Sequence, residues 1–203
     1  MDYPVDPLTF QLRASKKNYL DLNDWKTETP TETLSSKHLE NILALVKSSW
    51  QKGDYLTPKI GLTREKIFPA QIRYSKPVVI TIDELAGSGG DAFPSLMKGY
   101  GRATLLGQTT AGLGGHINNM PDLNNAAMKI HMTMSLFYRP DGVAVENNGA
   151  VPDVEYVPTR DDFMNGYKDY QKFYLNVLLE QAAKRPTSKG LKPAQVKFHA
   201  PRL

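Results

Sequence analysis

Residues 77–107, "PVVITIDELAGSGGDAFPSLMKGYGRATLLG", constrain the fold more than any other stretch of this chain. The opening "PVVITID" is a short apolar run rich in β-branched residues, the pattern of a strand buried on both faces of a parallel sheet. A glycine-rich turn follows, and Asp91 behind it can cap a helix with Pro94 in its first turn and Phe93, Leu96 and Met97 along its apolar side. "RATLLG" at 102–107 then reads as the next strand. Strand, tight turn, helix and strand form a βαβ unit, so the predicted fold class is α/β.

The flanking sequence is less regular. Residues 1–34 mix prolines, aromatics and charges without a sustained period, which predicts mostly irregular structure with short helical turns. From Ser36 to about Gln51, Leu39, Ile42, Leu43, Val46 and Trp50 recur at spacings of three and four, an amphipathic helix with serines in front as N-caps and His38 on its surface. Gly53, Pro58, Gly61, Pro69 and Pro77 make residues 53–77 an extended connection. The loop "GQTTAGLGGHINNMPDLNNA" is long for a connection and so reads as functional. In "MKIHMTMSLFY", Met128, Ile130, Met132, Met134 and Leu136 alternate with polar residues, a strand with one buried face. "RPDG" supplies a turn, and "VAVE" returns as a short strand ending at Glu146. A last helix starts at Thr159, where Thr159 and Asp162 form a capping-box pair, and runs to Arg185 with Phe163, Tyr167, Tyr170, Tyr174, Val177 and Leu178 on one face.

This divides the chain into a connecting region with one amphipathic helix (1–75), a core (76–185) and a basic tail (186–203) expected to be disordered. Six basic residues from Lys184 to Arg202 stand where there is no acid, and without them the formal charge of +4 becomes −2. The positive charge therefore belongs to the tail and gives no support to a nucleic-acid partner. The absence of cysteine excludes thiol nucleophiles, disulfides and thiolate zinc sites. No cofactor or metal motif is present, and no stretch is apolar enough to span a membrane.

Ser88 sits where an α/β sheet places its ligands, at the carboxyl end of a strand leading into a helix. Glycines on both sides permit a sharp bend, and the helix N-terminus supplies free N–H groups and partial positive charge. The Gly89 N–H is placed to stabilise an oxyanion over Ser88. This is the logic of a nucleophile elbow, although "AGSGG" has Ala86 where the first glycine of G-x-S-x-G stands. An ordinary turn and a phosphate-binding loop compete with it, the latter weakened by the lack of G-x-G-x-x-G and of a Walker lysine. A serine hydroxyl also needs a base. Of His38, His116, His131 and His199, only His116, in the glycine-rich loop, is a candidate, so the residues alone leave the triad incomplete.

The stretch from "KPVVITIDELAGSGGDAFP" through "GRATLLGQTTAGLGG" to "LFYRPDGVAVENNGAVPDVEY" resembles the C-terminal-processing and tricorn group of serine peptidases, and within it the branch of the chlamydial protease-like activity factor. The likeness covers residues 76–157, with the motifs in the family's order. It implies a crotonase/ClpP-like core, with Ser88 as nucleophile, Gly89 lining the oxyanion hole and Glu146 orienting a catalytic histidine. The group's other branch pairs serine with a lysine in the glycine loop; Leu113 stands at about that point, which favours Ser-His-Glu. The family's upstream histidine and paired-glycine signature are missing before Ser88, and "MDYPVDPLTFQLR" resembles the segment on the C-terminal side of that signature. The resemblance thus implies the C-terminal half of a larger endopeptidase, inactive alone, with the upstream half and a peptide or protein substrate as partners and self-association open. Relatives of this type are exported, which makes a secreted or periplasmic location the expectation. A non-catalytic scaffold and a thioester-binding acyl-transfer enzyme are the rival readings.

Overall fold

The computed structural model describes residues 8–28, 36–61, 66–68, 74–119, 128 and 130–184. The basic tail and His199 lie outside these residues. Along the described chain the elements are β1 (Thr9–Leu12), α1 (Lys16–Glu28), α2 (Ser36–Lys52), β2 (Ile60–Gly61), β3 (Val79–Ile82), α3 (Gly89–Gly99), β4 (Thr104–Gly107), β5 (Ile117–Asn119), β6 (His131–Thr133), β7 (Ser135–Tyr138), β8 (Val154–Glu155), α4 (Arg160–Met164) and α5 (Lys168–Lys184). They form a mixed α/β fold with three small sheets, ordered β2-β1-β7, β3-β4-β8 and β5-β6.

The βαβ unit is present as read. β3 and β4 run parallel, with Ile80 opposite Leu105 and Ile82 opposite Gly107, and α3 connects them. β8 adds to the other side of β4, also parallel. β4 is therefore central, and Leu105 and Leu106 are fully buried; each such side chain contributes about 1.5–3 kcal/mol of transfer free energy. The expectation that "PVVITID" is buried on both faces fails: within β3, the end strand of its sheet among the described residues, Ile82 is buried, Val79 and Ile80 are half-buried and Thr81 is exposed.

Residues 8–28 and 36–61 hold more regular structure than their sequence suggests. β1 pairs antiparallel with β7 over four residues, and α1, a 13-residue helix where irregular structure was expected, packs on α2. Phe10, Leu12, Ile42 and Val46 form their shared core, with Tyr19 and Leu22 of α1 against it. The region read as a connection thus shares a sheet with the core. His38 is buried rather than on the surface, as is Leu39 next to it.

Three further expectations are corrected. The methionine strand is divided into β6 and β7, and Met128, Ile130 and Met132 are exposed while Met134 is buried. β6 pairs only with β5, so among the described residues no second layer covers that face. "VAVE" makes a single bridge, Tyr138 to Ala144, and Glu146 lies on the turn beyond it. The C-terminal helix breaks at residues 165–167, where Gly166 and Tyr167 take positive φ of 72° and 61°, leaving Phe163 exposed.

The capping box at Thr159 and Asp162 is present in full. The buried Asp162 carboxylate accepts from the Thr159 N–H (2.8 Å), the Thr159 hydroxyl (2.8 Å), the Tyr156 hydroxyl (2.9 Å) and the Tyr170 N–H (3.1 Å). The Thr159 backbone bond leads in holding its pKa below the ordinary carboxylate value, against an opposing push from burial. One side chain thereby ties the exit of β8 to both α4 and α5.

Candidate active site

Ser88 is the N-cap of α3 and has φ 55°, ψ −108°, a conformation that costs a non-glycine residue about 1–3 kcal/mol. The bend is held on both sides. The Gly90 N–H donates to the Gly87 carbonyl at 2.8 Å, and the Asp91 and Ala92 N–H groups donate to the Ser88 carbonyl at 3.1 and 2.9 Å. A Cβ at Gly87 would stand 2.8 Å from Leu113 Cδ1, so the exposed Leu113 side chain would have to shift to admit one. The Ser88 hydroxyl makes no capping bond and so stays available. Gly89 begins the helix, and its N–H, one of the orphan donors of a helix start, has no acceptor among the described residues.

Asp91 does not cap the helix as the sequence suggested. It lies in the first turn of α3, wholly buried, and its carboxylate reaches across to the loop after β4. It accepts from the Thr110 hydroxyl, the Gly112 N–H (2.9 Å) and the Leu113 N–H (2.9 Å). The Thr110 hydroxyl oxygen accepts in turn from the Ala150 N–H at 2.7 Å. An acid three residues beyond Ser88 was visible in the sequence, but its partners come from residues 110–113 and no local spacing names them.

The same loop carries Glu146 on its other side. Glu146 Oε2 accepts from the Gly114 N–H at 3.0 Å, Oε1 from the Thr133 hydroxyl at 3.4 Å, and the Asn147 N–H donates to the Gly112 carbonyl at 2.8 Å. Gly114 allows this approach, because a Cβ there would lie 2.4 Å from Val145 Cβ and 2.6 Å from the Glu146 nitrogen. Residues 110–114 are thus clamped between the Ser88 bend and the Glu146 turn. Leu113 lies against Gly87 beside the serine.

Neither His116 nor His131 is bonded to Ser88 or Glu146. The His116 ring bonds Asn118 Oδ1 at 3.1 Å and lines a cavity whose walls include neither site residue, and His131 is exposed on β6. Beside Glu146 there is instead an open cavity of about 350 Å³, walled by Arg13, Tyr55, Leu56, Thr133 and Leu136 among others. No group of three or more metal-ligating side chains occurs among the described residues.

A serine on a strained strand-to-helix bend, a helix N-terminus behind it and a carboxylate across a shared loop form the kind of site that acyl-transfer hydrolases use. The chain belongs to Peptidase family S41, whose signature matches residues 13–156. A protein of Chlamydia pneumoniae is 34% identical over 147 residues, covering 70% of this chain and 24% of that protein. The tricorn protease of Thermoplasma acidophilum is 29% identical over 114 residues, covering 56% of this chain and 11% of the protease. Among solved structures, mature CPAF superposes with a TM-score of 0.71 at 26% identity over 92% of this chain and 40% of CPAF. The chain spans about a quarter of the chlamydial relative and two fifths of the CPAF structure.

Proposed function

We propose that this chain is the nucleophile-bearing part of a serine endopeptidase with a crotonase/ClpP-like core, working by a Ser-His-Glu mechanism whose histidine comes from a segment outside these 203 residues. The observation that carries the reading is the forced positive φ of Ser88 at the β3–α3 junction, which presents an uncapped hydroxyl beside the free Gly89 N–H. Family membership and the likeness to CPAF support peptide hydrolysis as the reaction.

In this scheme Ser88 Oγ attacks the scissile carbonyl carbon while the histidine takes its proton. The oxyanion that forms is stabilised by the Gly89 N–H at the positive end of α3. Collapse expels the amine, which receives the proton from the histidine and leaves an acyl group on Ser88. A water molecule, deprotonated by the same histidine, then releases the acid and restores the hydroxyl. Glu146, held by Gly114 and Thr133, faces the cavity that the histidine enters and accepts its second ring N–H. Among the described residues there is a nucleophile and an orienting acid but no base between them.

The test is hydrolysis of an unfolded protein substrate by this chain joined to its histidine-bearing segment. Ser88→Ala is expected to lower kcat by about 10⁴ or more, and Glu146→Gln by about 10²–10⁴. Undiminished cleavage by Ser88→Ala overturns the assignment. A joined protein that binds the substrate without cutting it supports the scaffold reading instead.

A further inference from the structure

A second cavity, of about 330 Å³, lies between α1, α2 and the β1–β7 pair, and neither Ser88 nor Glu146 lines it. Its walls are largely apolar, with Phe10, Trp25, Ile42 and Phe137 among them. Phe10 and Phe137 already pack edge to face, with centroids 6.2 Å apart and planes at 84°. A volume near 300 Å³ with few polar groups is typical of small-ligand sites.

The polar groups at its edge form a chain whose proton positions are fixed by elimination. Lys17 Nζ donates to Asp21 at 2.8 Å, and Asn118 Nδ2 donates to Asp21 Oδ2 at 2.7 Å. A carboxylate accepts only, so the amide nitrogen of Asn118 must face it. Asn118 Oδ1 is then the atom 3.1 Å from His116 Nε2, and since an amide oxygen cannot donate, Nε2 carries the proton. In the neutral ring, Nδ1 is left with its lone pair, and among the described residues nothing donates to it. Asp21 is already paired with Lys17 and offers no free charge for a cation, while the carboxylate and the lone pair together disfavour an anion.

We infer that this cavity binds an uncharged aromatic group bearing a hydrogen-bond donor, a phenol or an indole, with the ring among the aromatic walls and the donor on His116 Nδ1. The site is independent of Ser88 and stands whether or not the chain belongs to a working peptidase. The same chemistry is offered by a tyrosine or tryptophan side chain of a polypeptide and by a free phenol or indole.

The chain has two tryptophans, so a Trp50→Phe background leaves Trp25 in the cavity wall as the only indole reporter. Titration with N-acetyltyrosinamide is expected to shift Trp25 emission saturably with a Kd of roughly 1 mM, and N-acetylphenylalaninamide to bind about five- to tenfold more weakly. His116→Ala should abolish that preference, and Ser88→Ala should leave it intact. In the otherwise unaltered chain, the ¹⁵N shift of His116 Nδ1 should move with the tyrosine amide and not with the phenylalanine amide. A tyrosine-containing hexapeptide that binds more tightly than the amide assigns the site to polypeptide side chains, and equal binding assigns it to small molecules. The inference is overturned if Trp25 shows no saturable change, if the two amides bind equally, or if the preference survives His116→Ala.

Discussion

Replacing Asp91 by Asn tests how Ser88 is registered against Glu146. The wild-type carboxylate satisfies three donors without access to water: Thr110 Oγ1 and the Gly112 N–H on Oδ1, and the Leu113 N–H on Oδ2. An asparagine oriented to keep the first two turns its NH₂ toward the Leu113 N–H. That sets two donors, the buried amide NH₂ and the part-buried Leu113 N–H, against each other without an acceptor, about 1–3 kcal/mol, and removes charge assistance from the other two bonds. The sum is a loss of roughly 3 kcal/mol, a large part of the 5–15 kcal/mol that holds a typical domain together. Urea unfolding followed by circular dichroism should show a lower midpoint at unchanged slope, and Glu180→Gln on the exposed side of α5 serves as the control, with an expected loss of about 0.5 kcal/mol or less. A loss for Asp91→Asn no larger than that of the control refutes the claim that this carboxylate holds the loop.

Two more outcomes are expected from the same geometry. Gly114→Ala places a Cβ within 2.4 Å of Val145 Cβ and should cost about 1–3 kcal/mol in urea unfolding while displacing Glu146, so that cleavage by the joined protein falls more than its stability explains. Asp162 has a folded-state pKa below its ordinary value, so its contribution to stability is complete above about pH 4 and is lost as pH falls through the folded pKa; an acid titration of unfolding should be flatter in Asp162→Asn than in the wild type.

The βαβ unit was legible because its strand and turn signals agreed, β-branched residues in β3 and glycines at the bend, whereas Pro94, expected in the first helical turn, lies inside α3 because the helix starts at Gly89 and not behind Asp91. The covering of a surface was not legible. Alternation from Met128 to Leu136 shows which residues share a face, but only the sheet order reveals that β6 has a single neighbour and leaves Met132 exposed. The break after α4 was signalled by the Asn165-Gly166 dipeptide, a turn former that the continuing aromatic period obscured. α1 was missed because, among the described residues, Tyr19 and Leu22 are the hydrophobic side chains it packs directly on the core formed with β1 and α2, too sparse a period to recognise. At the candidate site Ser88, Gly89 and Glu146 were named from the sequence. Asp91 and Thr110 were not given their part, since their bonds join residues 19 or more apart and exist only once the loop has folded back on α3.

Whether Ser88 is a nucleophile that waits for a base is read from the rate at which a fluorophosphonate modifies it, followed as adduct mass on the peptide containing residues 77–98. A general base contributes about 10²–10⁴ to such a reaction. The predicted result is slow labelling of the 203-residue chain and labelling at least about 100-fold faster once the histidine-bearing segment is joined to it, with no adduct in Ser88→Ala. Equally fast labelling of the chain alone would contradict the claim and turn attention to His116 as the base.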